Sequence, residues 1–148
     1  MLFGPSFPVN LHRSVFVHNK MQLISKCMVC FWQVLGCHAH QRSSSEEWPS
    51  NYPFTNGTGC SCHNTKFNDI CIASCASNIT DHEVRQQYGA GTITVTCSAG
   101  NYVLGCGIKP RYGVGPEKWR SWAVKDVNTC ECYDNYGATC YAICGQLT

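Results

Sequence analysis

The chain has 148 residues, of which 14% are charged, and its formal net charge is +2. Nucleic-acid binding needs a strong basic excess on one face, so this composition argues against a nucleic-acid partner. Thirteen residues are cysteines, close to the density of a disulfide scaffold, and such cysteines stay paired only in an oxidising compartment. The composition therefore predicts a secreted, extracellular protein.

A cytosolic zinc protein is the competing class. Zinc sites favour Cys-x-x-Cys pairs with histidine partners at ligand spacing. Cys27-Met-Val-Cys30 is the one Cys-x-x-Cys in the chain, and the other close cysteine pairs are separated by one or three residues. This spacing favours disulfides, so we expect no metal and no other cofactor.

Residues 1–26 give no clear prediction. No apolar stretch of sufficient length follows a basic segment, so no signal peptide is evident, and nothing approaches the length of a membrane span. Val34-Leu35-Gly36-Cys37 resembles a bacterial lipoprotein cleavage box, but the same four residues recur at 103–106, where no leader can stand. We treat 1–26 as an unassigned leader or a mis-predicted segment.

An internal repeat follows. Six cysteines and a tryptophan occur twice in the same order, with spacings that differ by at most two residues. The first copy contains Cys30 (or Cys27), Cys37, Trp48, Cys60, Cys62, Cys71 and Cys75, and the second contains Cys97, Cys106, Trp119, Cys130, Cys132, Cys140 and Cys144. The repeat predicts a first module at 27–77, a linker at 78–91 and a second module at 92–148.

One cysteine remains after six pairs are formed. Cys27 and Cys30 both compete to match Cys97, and the sequence leaves open which of them is paired. We assign Cys27 as the surplus thiol, which is either free or able to link a second chain into an oligomer.

The second module is predicted to consist of strands. Residues 92–97 alternate and are rich in β-branched side chains, and 101–106 form another short strand. The segments 129–133 and 139–143 flank a turn-forming run at 134–137, which predicts a hairpin with Cys132 and Cys140 on facing strands, close enough to bridge. A module of roughly 50 residues buries little apolar area, and disulfides at about 2–5 kcal/mol each can supply the missing stability.

The cysteine pattern is similar to that of a known family. Cys97 and Cys106 enclose eight residues that end in glycine, and they lead to a Cys-x-Cys pair and to Tyr141-Ala142-Ile143. This pattern resembles the cysteine-rich C-terminal domain of the subtilisin/kexin type 9 proprotein convertase and the cysteine-rich domain of resistin. The resemblance covers about 27–148. It implies an all-β fold of two tandem, disulfide-stapled antiparallel modules that look like small jelly-roll barrels.

The resemblance also implies a disulfide pairing. The implied pairs are Cys97–Cys144, Cys106–Cys130, Cys132–Cys140, Cys30 (or Cys27)–Cys75, Cys37–Cys60 and Cys62–Cys71, and we assign Cys30 rather than Cys27 to the outer pair. The chain departs from the convertase domain in two ways. That domain has three modules rather than two, and its module ends in adjacent cysteines rather than in Cys-x-x-x-Cys, so the outer pair rests on a weaker match.

We expect no catalytic activity. A subtilisin-type protease needs Asp, His and Ser within a large α/β domain, for which this chain is too short. Cys62-His63 suggests a thiol hydrolase, but Cys62 matches Cys132 of the other copy, and a bridged cysteine is no nucleophile. A serine-protease label would belong to a parent protein whose catalytic domain is absent here.

The candidate binding residues lie where the two copies differ. Trp48 and Trp119 recur and are predicted core anchors, whereas Trp122 is matched by Asn51. The predicted basic, aromatic surface contains Lys109, Arg111, Tyr112, Lys118, Arg120 and Trp122. Such a surface suits an extracellular protein or receptor, or a glycan. A solvated basic face with a half-buried tryptophan is the alternative.

Two Asn-x-Thr sequons, at Asn56 and Asn78, are candidate glycosylation sites in a secreted chain. The function predicted from the sequence is a secreted, non-catalytic protein-interaction module. The alternatives are a resistin-like signalling factor, linked through its surplus cysteine, and the targeting tail of a secreted subtilisin-type protease.

Overall fold

The structure is a computed structural model that describes residues 16–17, 22–27, 32–40, 50–63, 70–111 and 120–148. Every regular element in these ranges is a β-strand, which confirms the predicted all-β class. The strands are β1 (Phe16–Val17), β2 (Gln22–Lys26), β3 (Gln33–His40), β4 (Ser50–Pro53), β5 (Gly59–His63), β6 (Ile70–Ala76), β7 (Ile79–Thr96), β8 (Tyr102–Pro110), β9 (Arg120–Asp126) and β10 (Thr129–Leu147).

All strand pairs in the described ranges are antiparallel. One sheet has the order β1-β2-β5-β4, and a second consists of β3 and β6. In the third sheet β10 lies between β7 and β8, and β9 also pairs with β10. The first two sheets contain the earlier set of framework cysteines and the third contains the later set. We call these two groups of strands the first and second modules.

The strand register shows that β2 is the counterpart of the second half of β7. Cys62 of β5 pairs with Leu23 of β2, and Cys132 of β10 pairs with Ile93 of β7. Residues 22–26 therefore belong to the first module, and treating all of 1–26 as unassigned is incorrect for this segment. Its alternation is hard to see in the sequence because β2 contains only five residues.

Residues 78–91, predicted as a linker, are not a linker. β7 begins at Ile79, and its first half pairs with β10 as far as the pair Gly89–Ala138. The run Gly89-Ala90-Gly91 bends the strand instead of ending it, and Gly91 has a φ of 75°, which glycine adopts without steric cost. Two glycines therefore mark a bend within a long strand here.

The predicted hairpin at 129–143 is also wrong, although the two cysteines are bridged as expected. Cys132 and Cys140 lie on one strand, where eight residues of straight chain would span about 26 Å. Their Cα atoms are 5.7 Å apart, so β10 must bend sharply between them. The bend coincides with a bulge between Asp134 and Ala138, opposite the bend in β7. Gly137, with a φ of 98°, supplies the backbone conformation.

The bend brings the two halves of the sheet together around one core. Ile93 and Val95 come from one side of the bend, and Ile108 comes from β8 on the other side. Successive side chains of a strand point to opposite faces, so the alternating sequence of β7 predicts this burial. Thr92, Thr94 and Thr96, which alternate with the buried residues, are exposed. The remaining buried members of this core are Cys97, Cys130, Cys132, Ala138, Cys140, Ala142 and Cys144.

The framework cysteines form six disulfides within the described residues. These are Cys27–Cys75, Cys37–Cys60, Cys62–Cys71, Cys97–Cys144, Cys106–Cys130 and Cys132–Cys140. Five of them are pairs that the resemblance implies without an alternative. The sixth corrects the assignment of Cys30–Cys75 with Cys27 as the surplus thiol.

The register explains why Cys27 takes this place. Cys27 directly follows β2, as Cys97 directly follows β7. The backbone N–H of Cys27 donates to the carbonyl of Thr58, and that of Cys97 donates in the same way to the carbonyl of Asn128. Cys30 lies outside the described residues, and it is the one cysteine of the sequence that is not among the twelve in the six pairs.

This correction gives a testable difference between the two cysteines. We expect Cys27→Ser to lower the free energy of unfolding by about 2–5 kcal/mol, because it removes a disulfide. Cys30→Ser should leave all six pairs intact. Peptide mapping under non-reducing conditions, together with denaturant unfolding, checks both variants. A peptide that links Cys30 to Cys75 in the wild-type chain would contradict the assignment.

The two modules share an apolar contact. Ile143 of β10 is buried in the core of the first module, together with Val34, and Leu104 of β8 packs against the same core. His82 of β7 adds a polar contact, since its Nε2 lies 2.8 Å from the backbone oxygen of Val34. The modules are therefore packed against each other.

Two glycines of β8 allow this close approach. A Cβ atom at Gly105 would lie 2.6 Å from the backbone oxygen of Leu35, and one at Gly107 would lie 2.6 Å from that of Asn51. Both distances are shorter than any ordinary contact. The glycine before Cys106, which the repeat identifies as framework, therefore has a specific role in joining the modules.

Candidate binding surface

Lys109 lies near the end of β8 and contacts the first module. Its side chain is exposed, and its Nζ is 5.5 Å from the centre of the Tyr52 ring. Tyr52 in turn stacks on Tyr141 of β10, with ring centres 5.4 Å apart and planes 19° apart. The ammonium group is thus within the range of a cation–π contact. Burial, and to a lesser degree the neighbouring Tyr52, raise the pKa of Tyr141, so this phenol stays neutral at physiological pH.

Arg111 follows β8 and also contacts a tyrosine. Its backbone N–H donates to the carbonyl of Gly137, and its Nη1 donates to the hydroxyl of Tyr88 at 3.2 Å. Tyr88 has 52% of its surface exposed. A Cβ at Gly137 would lie 2.7 Å from the Tyr88 hydroxyl, so the glycine in the bulge makes room for this contact.

Tyr88, Lys109 and Thr139 share one face of the second module. Thr139 of β10 pairs with Tyr88 on one side and with Lys109 on the other, and residues directly opposite each other in a sheet project from the same face. We call these three residues, together with Arg111 and with Tyr52 of the first module, the Lys109–Arg111 surface.

Two other described cations are paired with carboxylates. Lys125 Nζ lies 2.6 Å from Glu131 Oε2, and this hydrogen bond raises the pKa of Lys125. Arg85 Nη1 lies 4.0 Å from Glu83 Oε2. The five members of the Lys109–Arg111 surface include two cations, whose side-chain contacts are with tyrosines.

Glu83 belongs to a structural polar cluster rather than to a site. Burial raises the pKa of Glu83, but the net effect of its surroundings is to lower that pKa below its usual value. The groups that lower it are the backbone N–H and side chain of Ser98 and the side chain of Asn101, which donate hydrogen bonds, and the charge of Arg85. Asn101 also donates to the backbone oxygen of Asp81. The carboxylate thereby ties the turn after β7 back to the beginning of that strand.

The structure separates the predicted site residues. Lys109 and Arg111 come together, and Arg120 begins β9 opposite Asp134. Trp122 is half-buried and packs against the core of the second module, as the alternative interpretation anticipates. Tyr112 and Lys118 lie outside the described residues, as do the predicted core anchors Trp48 and Trp119.

Sequence reasoning missed the two tyrosines that contact the cations. Tyr52 lies in the first module and Tyr88 in the segment predicted as a linker, so no local pattern connects either of them with Lys109 or Arg111. The spacing of the cations is a usable signal, because positions i and i+2 at a strand end lie on one face. The tyrosines cannot be assigned without the packing of the modules.

Both candidate glycosylation residues are exposed. The Asn56 side-chain oxygen accepts hydrogen bonds from the backbone N–H and the hydroxyl of Thr58, at 3.1 and 2.7 Å. Asn78 donates its side-chain amide to the backbone oxygen of Thr148 at 2.7 Å. The two sequons therefore lie on accessible surface.

Cys62 is bonded to Cys71, so its sulfur is not available as a nucleophile. Among the described residues no three His, Cys, Asp or Glu side chains are grouped so that they could hold a metal ion. In the same ranges there is no helix long and apolar enough to cross a membrane.

The fold and its disulfides define a small, disulfide-rich β protein, a class typical of the extracellular space. No family model matches the chain, and no curated protein matches it.

Proposed function

We propose that the chain is a secreted, non-catalytic protein-interaction module that binds an acidic patch on an extracellular protein. The observation that carries this proposal is the Lys109–Arg111 surface, where two cations contact tyrosine side chains. Aromatic residues and arginine are enriched at protein interfaces, and lysine and arginine complement acidic partners.

The rigidity of the surface supports the proposal. Lys109 and Thr139 lie on paired strands, and Arg111 is fixed through its backbone to Gly137. The Cys106–Cys130 and Cys132–Cys140 disulfides staple the strands from which these residues project. A binding group held on rigid strands loses little conformational entropy when it meets a partner.

The resemblance to the convertase C-terminal domain and to resistin agrees with binding rather than catalysis. Six disulfides and two exposed sequons support secretion and glycosylation, at Asn56 and Asn78. A glycan carrying acidic groups is the second ligand that this surface fits, because the surface combines an exposed tyrosine with positive charge.

The test is a double charge reversal, Lys109→Glu with Arg111→Glu. The wild-type chain is first screened against an array of extracellular protein domains, and each hit is then titrated with both proteins. We expect the double variant to bind about tenfold more weakly or worse, because like charges then face each other. Affinity should also fall as the salt concentration rises.

Lys125→Glu is the matched control. It reverses an exposed lysine in the same module, but that lysine already pairs with Glu131 and lies outside the Lys109–Arg111 surface. Its affinity should stay within about twofold of wild type, a small change of the size expected for a remote surface charge. If the double reversal leaves the affinity for every hit unchanged, this surface is not the binding site.

A further inference from the structure

The outer edge of β7 presents backbone groups that β10 does not use. Among the described residues β10 is the only strand that pairs with β7. In an antiparallel edge strand, alternate residues direct their N–H and C=O groups away from the single neighbour. These groups can pair with another strand.

The first module shows what can occupy such an edge. β2, the counterpart of the second half of β7, has β5 on one side and β1 on the other. The register of β1 places Val17 opposite Leu23 and Phe16 opposite Ile24. The equivalent positions in the second module are Ile93 and Thr94, and no described strand lies beyond them. Within the described residues, the repeat thus has an added strand in the first copy and no strand at the corresponding edge of the second.

Residues 86–96 of this edge lack the usual protection against pairing. Natural edge strands are commonly blunted by charged side chains or proline. Residues 86–96 contain neither. β9, the other strand that flanks the first half of β10, begins with Arg120 and ends with Lys125-Asp126. The uncharged stretch of β7, which no described strand covers on this side, can therefore pair with another strand.

The bend at Gly91 limits the regular part of this edge to Thr92–Thr96. Its sequence, Thr-Ile-Thr-Val-Thr, reads nearly the same in both directions around Thr94. In an antiparallel pair with a two-fold axis at Thr94, Thr92 of each copy lies opposite Thr96 of the other. The three threonines are exposed, and Ile93 and Val95 are buried on the opposite face. Threonine pairs of this kind are favourable, and no like charges meet.

We propose that two copies of this chain associate through β7, so that Thr92–Thr96 of each forms a continuous antiparallel sheet across a two-fold axis at Thr94. The occupant of the edge is thus a second copy of the same strand. Such an interface is self-complementary, as closed dimers require. Five residues on each strand make a short contact, so the dimer dissociates on dilution.

Sedimentation velocity over a wide concentration range tests this proposal. All proteins carry Cys30→Ser, which removes any dimer linked by the surplus cysteine. The parent protein should shift from monomer towards dimer as its concentration rises. Thr94→Lys should be monomeric at every concentration, because two lysines then meet at the axis. The lysine is compatible with the monomer fold, since Thr94 is exposed and lies opposite Glu131.

Two further proteins make the test specific. Ala123→Lys is the matched control, because Ala123 is exposed and lies opposite Glu131 on the β9 side, and it should dimerise like the parent. Thr94→Glu alone should be monomeric, but an equimolar mixture with Thr94→Lys should form heterodimers because opposite charges then meet at the axis.

A parent protein that stays monomeric would overturn the proposal, as would a Thr94→Lys variant that dimerises normally. A mixture of the two charged variants that forms no heterodimer would also count against it. These outcomes are independent of the binding experiment, because Thr94→Lys leaves the Lys109–Arg111 surface unchanged.

Discussion

Gly105→Ala is expected to lower the free energy of unfolding by about 2–3 kcal/mol, the upper part of the range for an overpacked core. The added Cβ would lie 2.6 Å from the backbone oxygen of Leu35 and 3.1 Å from the Cα of Gly36. Both are backbone atoms of the first module, so no side-chain rotation can relieve the contact. The strands of the two modules would have to move apart. Denaturant unfolding with the disulfides intact measures the loss.

Gly36→Ala is the matched control, because Gly36 occupies the same step of the repeat in the first module. A Cβ there meets the Nε2 of His38 at 3.6 Å, which is an ordinary contact. The stability should be unchanged or up to about 1 kcal/mol higher, since alanine restricts the unfolded chain. Equal losses at the two positions would show that the destabilisation comes from the strand itself and not from the contact between modules.

The sequence predicts the structure best at the cysteines, because the same cysteine pattern occurs in both modules. Cysteine order alone matches Cys37, Cys60, Cys62 and Cys71 to their counterparts in the second copy, because each module must close the same three links. It cannot separate Cys27 from Cys30. That choice depends on where β2 ends, and a five-residue strand has too little alternation to be placed from its residues.

The glycines are the residues whose structural roles differ most from those that the sequence predicts. Gly91 and Gly137 predict a linker and a hairpin turn, but both lie at bends within long, continuous strands. A positive φ shows that the chain changes direction, and only the register shows whether the strand continues. Gly105 is framework in the sequence, and its contact with Leu35 becomes visible only when the modules are packed together.

Only part of the binding surface can be predicted from the sequence. Lys109 and Arg111 lie two residues apart at a strand end, so their common face follows from the period of a strand. Tyr52 is 57 positions before Lys109 in the sequence, and no local pattern connects them. Trp122 is conspicuous because its counterpart is Asn51, yet its position opposite Cys132 places its ring against the core.

Removal of the Cys97–Cys144 disulfide is expected to lower the free energy of unfolding more than removal of Cys132–Cys140. In the chain-entropy description a disulfide stabilises by restricting the unfolded chain, and more so for a longer loop. Cys97 and Cys144 are 47 residues apart, whereas Cys132 and Cys140 are 8 apart. Replacing the first pair by two alanines should therefore lower the free energy of unfolding by about 4 kcal/mol, and replacing the second by about 2.5 kcal/mol.

The two double variants control for each other. All four cysteines are at most 5% exposed, so the loss of buried sulfur atoms is similar in both, and the difference of about 1.5 kcal/mol reports the loop length. Guanidinium unfolding of the three proteins, each with its remaining pairs checked by peptide mapping, provides the comparison. Equal losses would mean that packing of the sulfur atoms, rather than restriction of the unfolded chain, dominates. A larger loss for Cys132–Cys140 would instead show that this link maintains the bend of β10, on which the core of the second module depends.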